Sequence, residues 1–228
     1  MNGFLLINKP EGITSYDVIR KLKLFLPRKT KIGHSGTLDP FATGLLIIAI
    51  GRNYTRQLNT LLNLDKTYQA EITFGIKTDS YDIDGAITYT HPTPVSLIEN
   101  DVLPILNKFK GTIQQTPPIF SAKKINGKPA YKHAREGTAI ELKKASVTIY
   151  EIALNTLNKH QMNVSIHCSK GTYIRSLAHD FGEALSTGAH LSKLNRLAIG
   201  HVSLESAIDL DDITMETLPT YLIKELNT

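Results

Sequence analysis

Apolar residues along the chain fall into short runs and alternations more often than into long amphipathic stripes. Residues 4–7 form an apolar run that reads as a buried strand, and Pro10-Glu11-Gly12 reads as a turn. Ser15 is the expected N-cap of a helix with Val18, Leu22, Phe25 and Leu26 on one face, ended by Pro27. A Gly-, Ser-, Thr- and Pro-rich loop over 33–44 leads into the run 45–50, whose flanking glycine and unbroken apolar content predict a strand covered on both faces. Residues 54–62 fit a helix with Leu58, Leu61 and Leu62 inward. Residues 67–74 then alternate, with Tyr68, Ala70, Ile72 and Phe74 on one face and Gln69, Glu71 and Thr73 on the other, the pattern of a half-buried strand. Ser96 with Glu99 fits a capping box for a helix running to Lys110, which Pro104 either kinks or delays.

The stretch 112–142 differs: Pro117-Pro118, Asn126-Gly127, Pro129 and Gly137 interrupt it, and Lys123, Lys124, Lys128, Lys132 and Arg135 crowd it. It reads as an exposed, mobile basic insertion. Residues 147–154 and 162–168 alternate on either side of a polar turn and predict an antiparallel hairpin. A helix follows Gly171-Thr172, with Ile174, Ala178, Phe181 and Leu185 as its apolar stripe and Arg175 and His179 on the other side. There is no internal repeat. Mixed strands and helices with at least one antiparallel pair give the class α+β, or mixed α/β.

Composition narrows the setting. The chain has 228 residues, and 26 Lys and Arg against 21 Asp and Glu give +5. That suits one globular domain over 1–228, or two small ones, large enough to fold without a structural metal. The single Cys168 excludes a disulfide framework and favours a reducing compartment. The apolar start is stopped by Asn8-Lys9-Pro10, and the longest apolar run, 45–50, is far below membrane-spanning length. A soluble, cytoplasmic protein is expected. The positive residues gather in 20–31, 123–135 and 193–196. Any one cluster fits a solvated face; three together favour an anionic partner such as nucleic acid.

Motif absences remove most cofactor enzymes. There is no G-x-x-x-x-G-K-[ST] and no G-x-G-x-x-G after a strand, and the histidines lack the H-E-x-x-H spacing. Ser80-x-Asp82-x-Asp84-Gly85 hints at a calcium loop, but its first position is Ser and its twelfth is His91. What remains is Gly33-His34-Ser35-Gly36-Thr37-Leu38-Asp39-Pro40-Phe41-Ala42-Thr43-Gly44. Asp39-Pro40 alone is a turn former. Between glycine-hinged segments and directly before a buried strand, the Asp39 carboxylate could be held rigidly and partly desolvated, as a nucleophile requires. Such a charge needs a cation, and Arg175 is a candidate.

These residues, with Lys9-Pro10-x-Gly12, Lys66-x-Tyr68, Thr78-Asp79-x-x-Asp82-x-Asp84-Gly85, and Cys168-Ser169-Lys170-Gly171-Thr172-Tyr173-Ile174-Arg175 in order, closely resemble the bacterial tRNA pseudouridine-55 synthases, the TruB family. Gly188-Ala189-His190 and Leu194-x-Arg196-Leu197 extend the match, which covers nearly all of 1–200. The resemblance implies a pseudouridine-synthase fold, a central, mainly antiparallel sheet flanked by helices, and isomerisation of the T-loop uridine of tRNA without cofactor or metal. Carried over by motif, Asp39 is the nucleophile, Tyr68 stacks on the flipped uracil, Arg175 pairs with Asp39, and Tyr173 and Leu194 line the base pocket. His34 would fill the space that the target nucleotide leaves. Lys9 and Asp82 take supporting roles. Lys123, Lys124, Lys128, Lys132 and Arg135 match an RNA-gripping loop, and Arg196 is expected at the RNA as well.

The chemistry agrees with these roles: the carboxylate could attack C1′, add to C6 or promote elimination to a glycal, and each route needs Asp39 ionised. An extruded base costs a few kcal/mol of stacking, which an aromatic such as Tyr68 partly recovers. Taken alone, Tyr68 reads as a strand-face core residue, Leu194 as core, and His34 and Tyr173 as a loop histidine and an interface aromatic. The family often carries a C-terminal PUA domain, and residues 201–228 are too short for one, so tRNA grip confined to the T-arm, weaker or more salt-sensitive than in longer relatives, is expected. A monomer is expected as well. Residues 214–226 are expected to form one helix, with Pro219 in its way. A tRNA-binding folding chaperone is the competing reading. A glycosidase using Asp39 with Asp82 would need two carboxylates flanking one bond.

Overall fold

The computed structural model describes residues 1–121, 124–125, 128–130, 133, 136 and 142–226. The chain divides into two compact units, Met1–Gln69 with Leu194–Thr228, and Ala70–Lys193. Two strands, β4 (Lys66–Phe74) and β12 (Ala189–Ile199), run through both.

In the first unit, β1 (Gly3–Lys9) lies antiparallel to β3 (Thr43–Ile50) in an unbroken register from Gly3↔Ile50 to Lys9↔Gly44. β2 (Ile32–His34) pairs antiparallel with the other side of β3, and β12 joins β3 in parallel at Asn195↔Thr43 and Arg196↔Gly44. The reason β3 is apolar throughout 45–50 is its two covered faces. Leu46, Ile48 and Ile50 pack with Val18, Leu22, Leu210, Ile213 and Leu218. Leu45, Ile47 and Ala49, pointing the opposite way, pack with Phe4, Leu6, Leu61, Ile199 and Val202. Helix α1 (Ser15–Lys23) starts one residue away from the expected cap: Thr14 is the N-cap, its Oγ accepting from Asp17 N–H at 3.1 Å while Thr14 N–H donates to the Asp17 carboxylate at 2.8 Å. The helix expected over 54–62 is two short ones, α2 (Arg52–Thr55) and α3 (Leu58–Asn63), with Leu61 buried and Leu62 exposed. Residues 214–226 form no helix. Short 3₁₀ turns, Leu204–Ser206 and Leu210–Asp212, the two-residue strands β13 (Val202–Ser203) and β14 (Ile208–Asp209), and a bridge from Ile223 to Phe4 carry the chain end along the sheet.

In the second unit the strand order is β12-β4-β11-β10-β7. The expected hairpin is β10 (Ala145–Leu157) with β11 (Gln161–Cys168), longer than its alternation suggested and bulged twice. β7 (Gly111–Gln115) pairs antiparallel with Ala145–Ile149, so residues assigned to the insertion begin as a sheet strand. β5 (Ile76–Thr78) and β6 (Ile87–Thr90) make a separate ribbon, as do β8 (Lys124–Ile125) and β9 (Lys128–Pro129). Helix α4 (Glu99–Lys108) contains Pro104 in its interior, and its N-cap is Ile98, whose N–H is met by the Asp101 carboxylate, instead of Ser96. Helix α5 (Ile174–Ala184) packs Phe181 edge-on against Phe109, ring centroids 4.6 Å apart. Antiparallel pairing with flanking helices makes the class α+β, as expected.

Candidate active site

The expected site residues fall into one group in each unit. In the first, the loop after β2 is fixed almost residue by residue. Ser35 N–H donates to Ile47 O at 2.9 Å, and Gly36 turns at φ +119°, a backbone open to glycine. Leu38 is buried, and the buried Ser15 hydroxyl holds both of its backbone groups, accepting from Leu38 N–H at 2.8 Å and donating to Leu38 O at 3.1 Å. Pro40 O accepts from Gly12 N–H at 2.8 Å and from Lys9 Nζ at 3.3 Å. Ala42 N–H closes the turn onto Asp39 O at 3.1 Å. Asp39 is half-buried between two anchored neighbours.

Lys9 is fully buried at the end of β1. Its ammonium also donates to Pro10 O at 2.7 Å and Ile13 O at 2.8 Å, so three carbonyls replace its water. Burial pulls its pKa down to about 8, opposed by the attraction of Asp39 and Glu11 and reinforced by Arg196. His34 is half-buried; burial, then the nearby Arg196 guanidinium, lowers its pKa, against a hydrogen bond that the ring donates to the Gly36 backbone. Tyr68 lies on the inward face of β4, only 9 % exposed, and Leu194 is buried on β12 with its carbonyl accepting from Thr43 Oγ1 at 3.4 Å.

Arg196 departs from expectation. Read from the sequence as an RNA contact, it is instead 2 % exposed. Its position opposite Gly44 turns the side chain inward, where Nε donates to Leu45 O at 2.8 Å and Nη2 to Gly36 O at 3.1 Å. It also hydrogen-bonds the Tyr68 side chain, and burial lowers its pKa against the attraction of Tyr68.

The second group is built around Arg175, 4 % exposed in the first turn of α5. Nη1 donates to Ser80 O and to Asp82 Oδ2, both at 3.1 Å, and Nη2 to Phe120 O at 2.8 Å. The buried Asp82 is itself oriented: Ser80 Oγ at 2.6 Å and Asp84 N–H at 3.1 Å donate to its Oδ1. The Asp82 carboxylate thus orients a guanidinium. Gly85 is needed in this turn because a Cβ there would stand 2.2 Å from Ser80 Oγ. Tyr173, the N-cap of α5, has both backbone groups held by the Gln115 side chain: its N–H donates to Oε1 at 2.8 Å and its carbonyl accepts from Nε2 at 3.0 Å.

Sequence reasoning missed Ser15 and Gln115. The Thr14-x-x-Asp17 box was the available signal for the first, since it frees Ser15 from capping duty. Gln115 carries no local signal, because its partner is 58 residues away. Lys123, Lys132 and Arg135 lie outside the described residues, and of Lys124 and Lys128 only the backbone is described. Among the described residues no cluster of three His, Cys, Asp or Glu could hold a metal ion, and no helix is long and apolar enough to cross a membrane.

Residues 23–174 match the model of the TruB family pseudouridylate synthase N-terminal domain, and residues 175–225 that of the tRNA pseudouridylate synthase B C-terminal domain. A tRNA pseudouridine synthase B from Francisella philomiragia is 46% identical over 213 residues, 93% of this chain and 70% of that protein. One from Bordetella avium is 42% identical over 228 residues, 100% of this chain and 93% of its own length. Among solved structures, an H/ACA ribonucleoprotein bound to a substrate RNA containing 2′-deoxyuridine has a chain with TM-score 0.68 and 26% identity, covering 92% of this chain and 51% of that one. A Cbf5-Nop10-Gar1 complex matches with TM-score 0.68 and 28% identity, over 92% and 53%. The chain thus spans about half the length of those structural relatives.

Proposed function

The chain belongs to the TruB family of pseudouridylate synthases and isomerises uridine to pseudouridine in tRNA; we propose that its target is the T-loop uridine 55, extruded from the loop, and that Asp39 is the nucleophile. The reaction breaks the N1–C1′ bond and forms C5–C1′, while a proton leaves C5 and one is gained at N1, so nothing is added or lost. The observation that carries the proposal is the anchoring of Asp39. Ser15 holds the residue before it and Lys9 with Gly12 the residue after it, so the half-buried carboxylate is presented without conformational search. Attack at C1′, addition at C6 and glycal formation all draw on the same ionised group, which the buried Lys9 ammonium beside it favours.

The surroundings suit an anionic substrate. Between residues 18 and 64 Asp39 is the only carboxylate, among eight Lys and Arg. Arg28, Lys29 and Lys31, just before β2, and Arg52 and Arg56, at α2, are exposed. Lys31 O accepts from Gly51 N–H at 2.7 Å, which brings the two basic segments side by side. Such a strip would neutralise phosphates along the T-arm, with affinity falling as salt rises. Tyr68 as the stacking ring, Leu194 as a wall of the base pocket and His34 as the filler of the vacated stack complete the proposal.

A T-arm transcript treated with purified protein and read by mass-shift labelling tests it. Asp39→Asn should abolish pseudouridine at position 55 while leaving transcript affinity within a few-fold of wild type. Undiminished product from Asp39→Asn overturns the nucleophile assignment, and product at another uridine overturns the site.

A further inference from the structure

Arg196 is a buried cation with no carboxylate partner among the described residues. Its acceptors are the Gly36 and Leu45 carbonyls and the Tyr68 side chain. Burying a guanidinium against neutral acceptors is costly, and an apolar side chain of similar volume would fill the space at lower cost. What an apolar side chain would lack is the planar fork, whose N–H groups point in fixed and divergent directions. Here the fork reaches three segments distant in sequence: the loop at Gly36, three residues before Asp39; strand β3 at Leu45; and strand β4 at Tyr68. The arm is set just as firmly. Arg196 pairs with Gly44 in parallel register, and a Cβ on Gly44 would meet Arg196 O at 2.4 Å. The guanidinium therefore hangs from a backbone that the loop's own end holds in place.

We propose that Arg196 is a positioning residue for the isomerisation, its fork holding the Tyr68 ring and the loop that carries Asp39 in one fixed relation, so that the stacked base and the carboxylate meet in register. This rests on the roles proposed for Tyr68 and Asp39. The consequence is a split between rate and affinity. RNA grip falls to the exposed cations of the strip, while the bonds made by Arg196 affect only how accurately the extruded base is met. Loss of that accuracy slows the bond-making step and leaves binding nearly untouched, since misplacement by about 1 Å can cost about 100-fold in rate.

The test measures single-turnover rate and transcript affinity for Tyr68→Phe, Arg196→Lys, the double variant and Tyr68→Leu, each normalised to folded protein by circular dichroism. Tyr68→Phe keeps the ring and removes only the oxygen that Arg196 holds; it should slow the rate by about tenfold or more with affinity within threefold. Arg196→Lys, which keeps the charge and loses the fork, should do the same, and the double variant should be no slower than the slower single. A purely structural arginine would lower the folded fraction and leave the rate per folded molecule at the wild-type value, which overturns the proposal. Multiplicative single effects in the double variant overturn it too. Should Arg196→Lys fail to fold, Tyr68→Phe decides alone, with a wild-type rate refuting the link. Tyr68→Leu separates the two readings: if it turns over like wild type, the stacking role of Tyr68 is what fails; if it is inactive while Tyr68→Phe is unimpaired, only the Arg196 link fails.

Discussion

The Ser15 hydroxyl occupies both backbone hydrogen-bonding groups of Leu38, at 2.8 Å from its N–H and 3.1 Å from its carbonyl, so the first residue of α1 fixes the residue before Asp39. All three groups are buried away from water that could replace them. Ser15→Ala leaves one donor and one acceptor unsatisfied, at a cost of roughly 1–3 kcal/mol. The expected outcome is a lower urea midpoint with unchanged slope, together with slower pseudouridine formation, because the carboxylate loses one of its two anchors. An unchanged midpoint would mean that the loop is held by its other contacts alone.

Arg175 and Asp82 form a buried ion pair at 3.1 Å whose carboxylate is itself held by Ser80 and Asp84. Removing the carboxylate leaves the guanidinium with only the carbonyls of Ser80 and Phe120 among the partners described above, and breaking a buried pair on one side costs about 3–5 kcal/mol. Asp82→Ala should therefore lower the melting temperature more than Asp82→Asn, whose single amide oxygen can still accept from the guanidinium while its NH2 turns to the Ser80 hydroxyl oxygen. Differential scanning calorimetry of the two variants decides it; equal losses would show that the charge, and not the hydrogen bonding, sets the cost.

The sequence made some of this legible and hid the rest for reasons that particular residues explain. β3 was readable because both of its faces are covered, which writes an unbroken apolar run into the sequence. The alternation of β4 was readable for the opposite reason, one face only being packed. β12 was not recognised as a strand, although it touches both units, because His190, Arg196 and Ser192 break the apolar pattern. Their side chains are satisfied by carbonyls at Ile76, Gly36, Leu45 and Glu71, more than a hundred residues away in sequence, and no local rule sees them. The segment after 201 failed similarly: its apolar residues serve as single plugs for the sheet, at Leu210, Ile213 and Leu218, without helical period. The half-buried, anchored place of Asp39 could be read from the glycines and the buried strand around it, whereas the inward turn of Arg196 follows from a strand register that only the fold supplies.

Gly44 and Gly12 both have positive φ, +103° and +84°, but their surroundings differ. A Cβ at Gly44 would lie 2.3 Å from Asn195 Oδ1 and 2.4 Å from Arg196 O, at the parallel pairing of β3 with β12, whereas nothing stands within 4 Å of one at Gly12. Gly12→Ala should cost only the left-handed backbone penalty, about 1–2 kcal/mol. Gly44→Ala adds a collision with backbone that cannot move without unpairing the strands, so it should give insoluble or unfolded protein under the same expression conditions. Soluble Gly44→Ala of near wild-type stability would show that β12 can shift without loss.

Asp180, half-buried on α5, has its pKa raised from 3.8 to about 6, first by burial and then by Glu183, with Lys144 pulling it back. A carboxyl whose folded value stands above its unfolded one contributes stability below the unfolded value, and that contribution is lost as pH rises toward the folded value. For Asp180 the loss runs from about pH 4 to about pH 6, and above that window the ionised group is a standing cost. Asp180→Asn keeps the shape and cannot ionise. Its melting temperature should exceed that of the wild type at pH 7.5 and match it at pH 4, with the difference opening between those values. Partial exposure of the group limits the size of the gain. A gain of equal size at both pH values would assign the effect to hydrogen bonding by the amide and leave burial of the charge without a measurable cost.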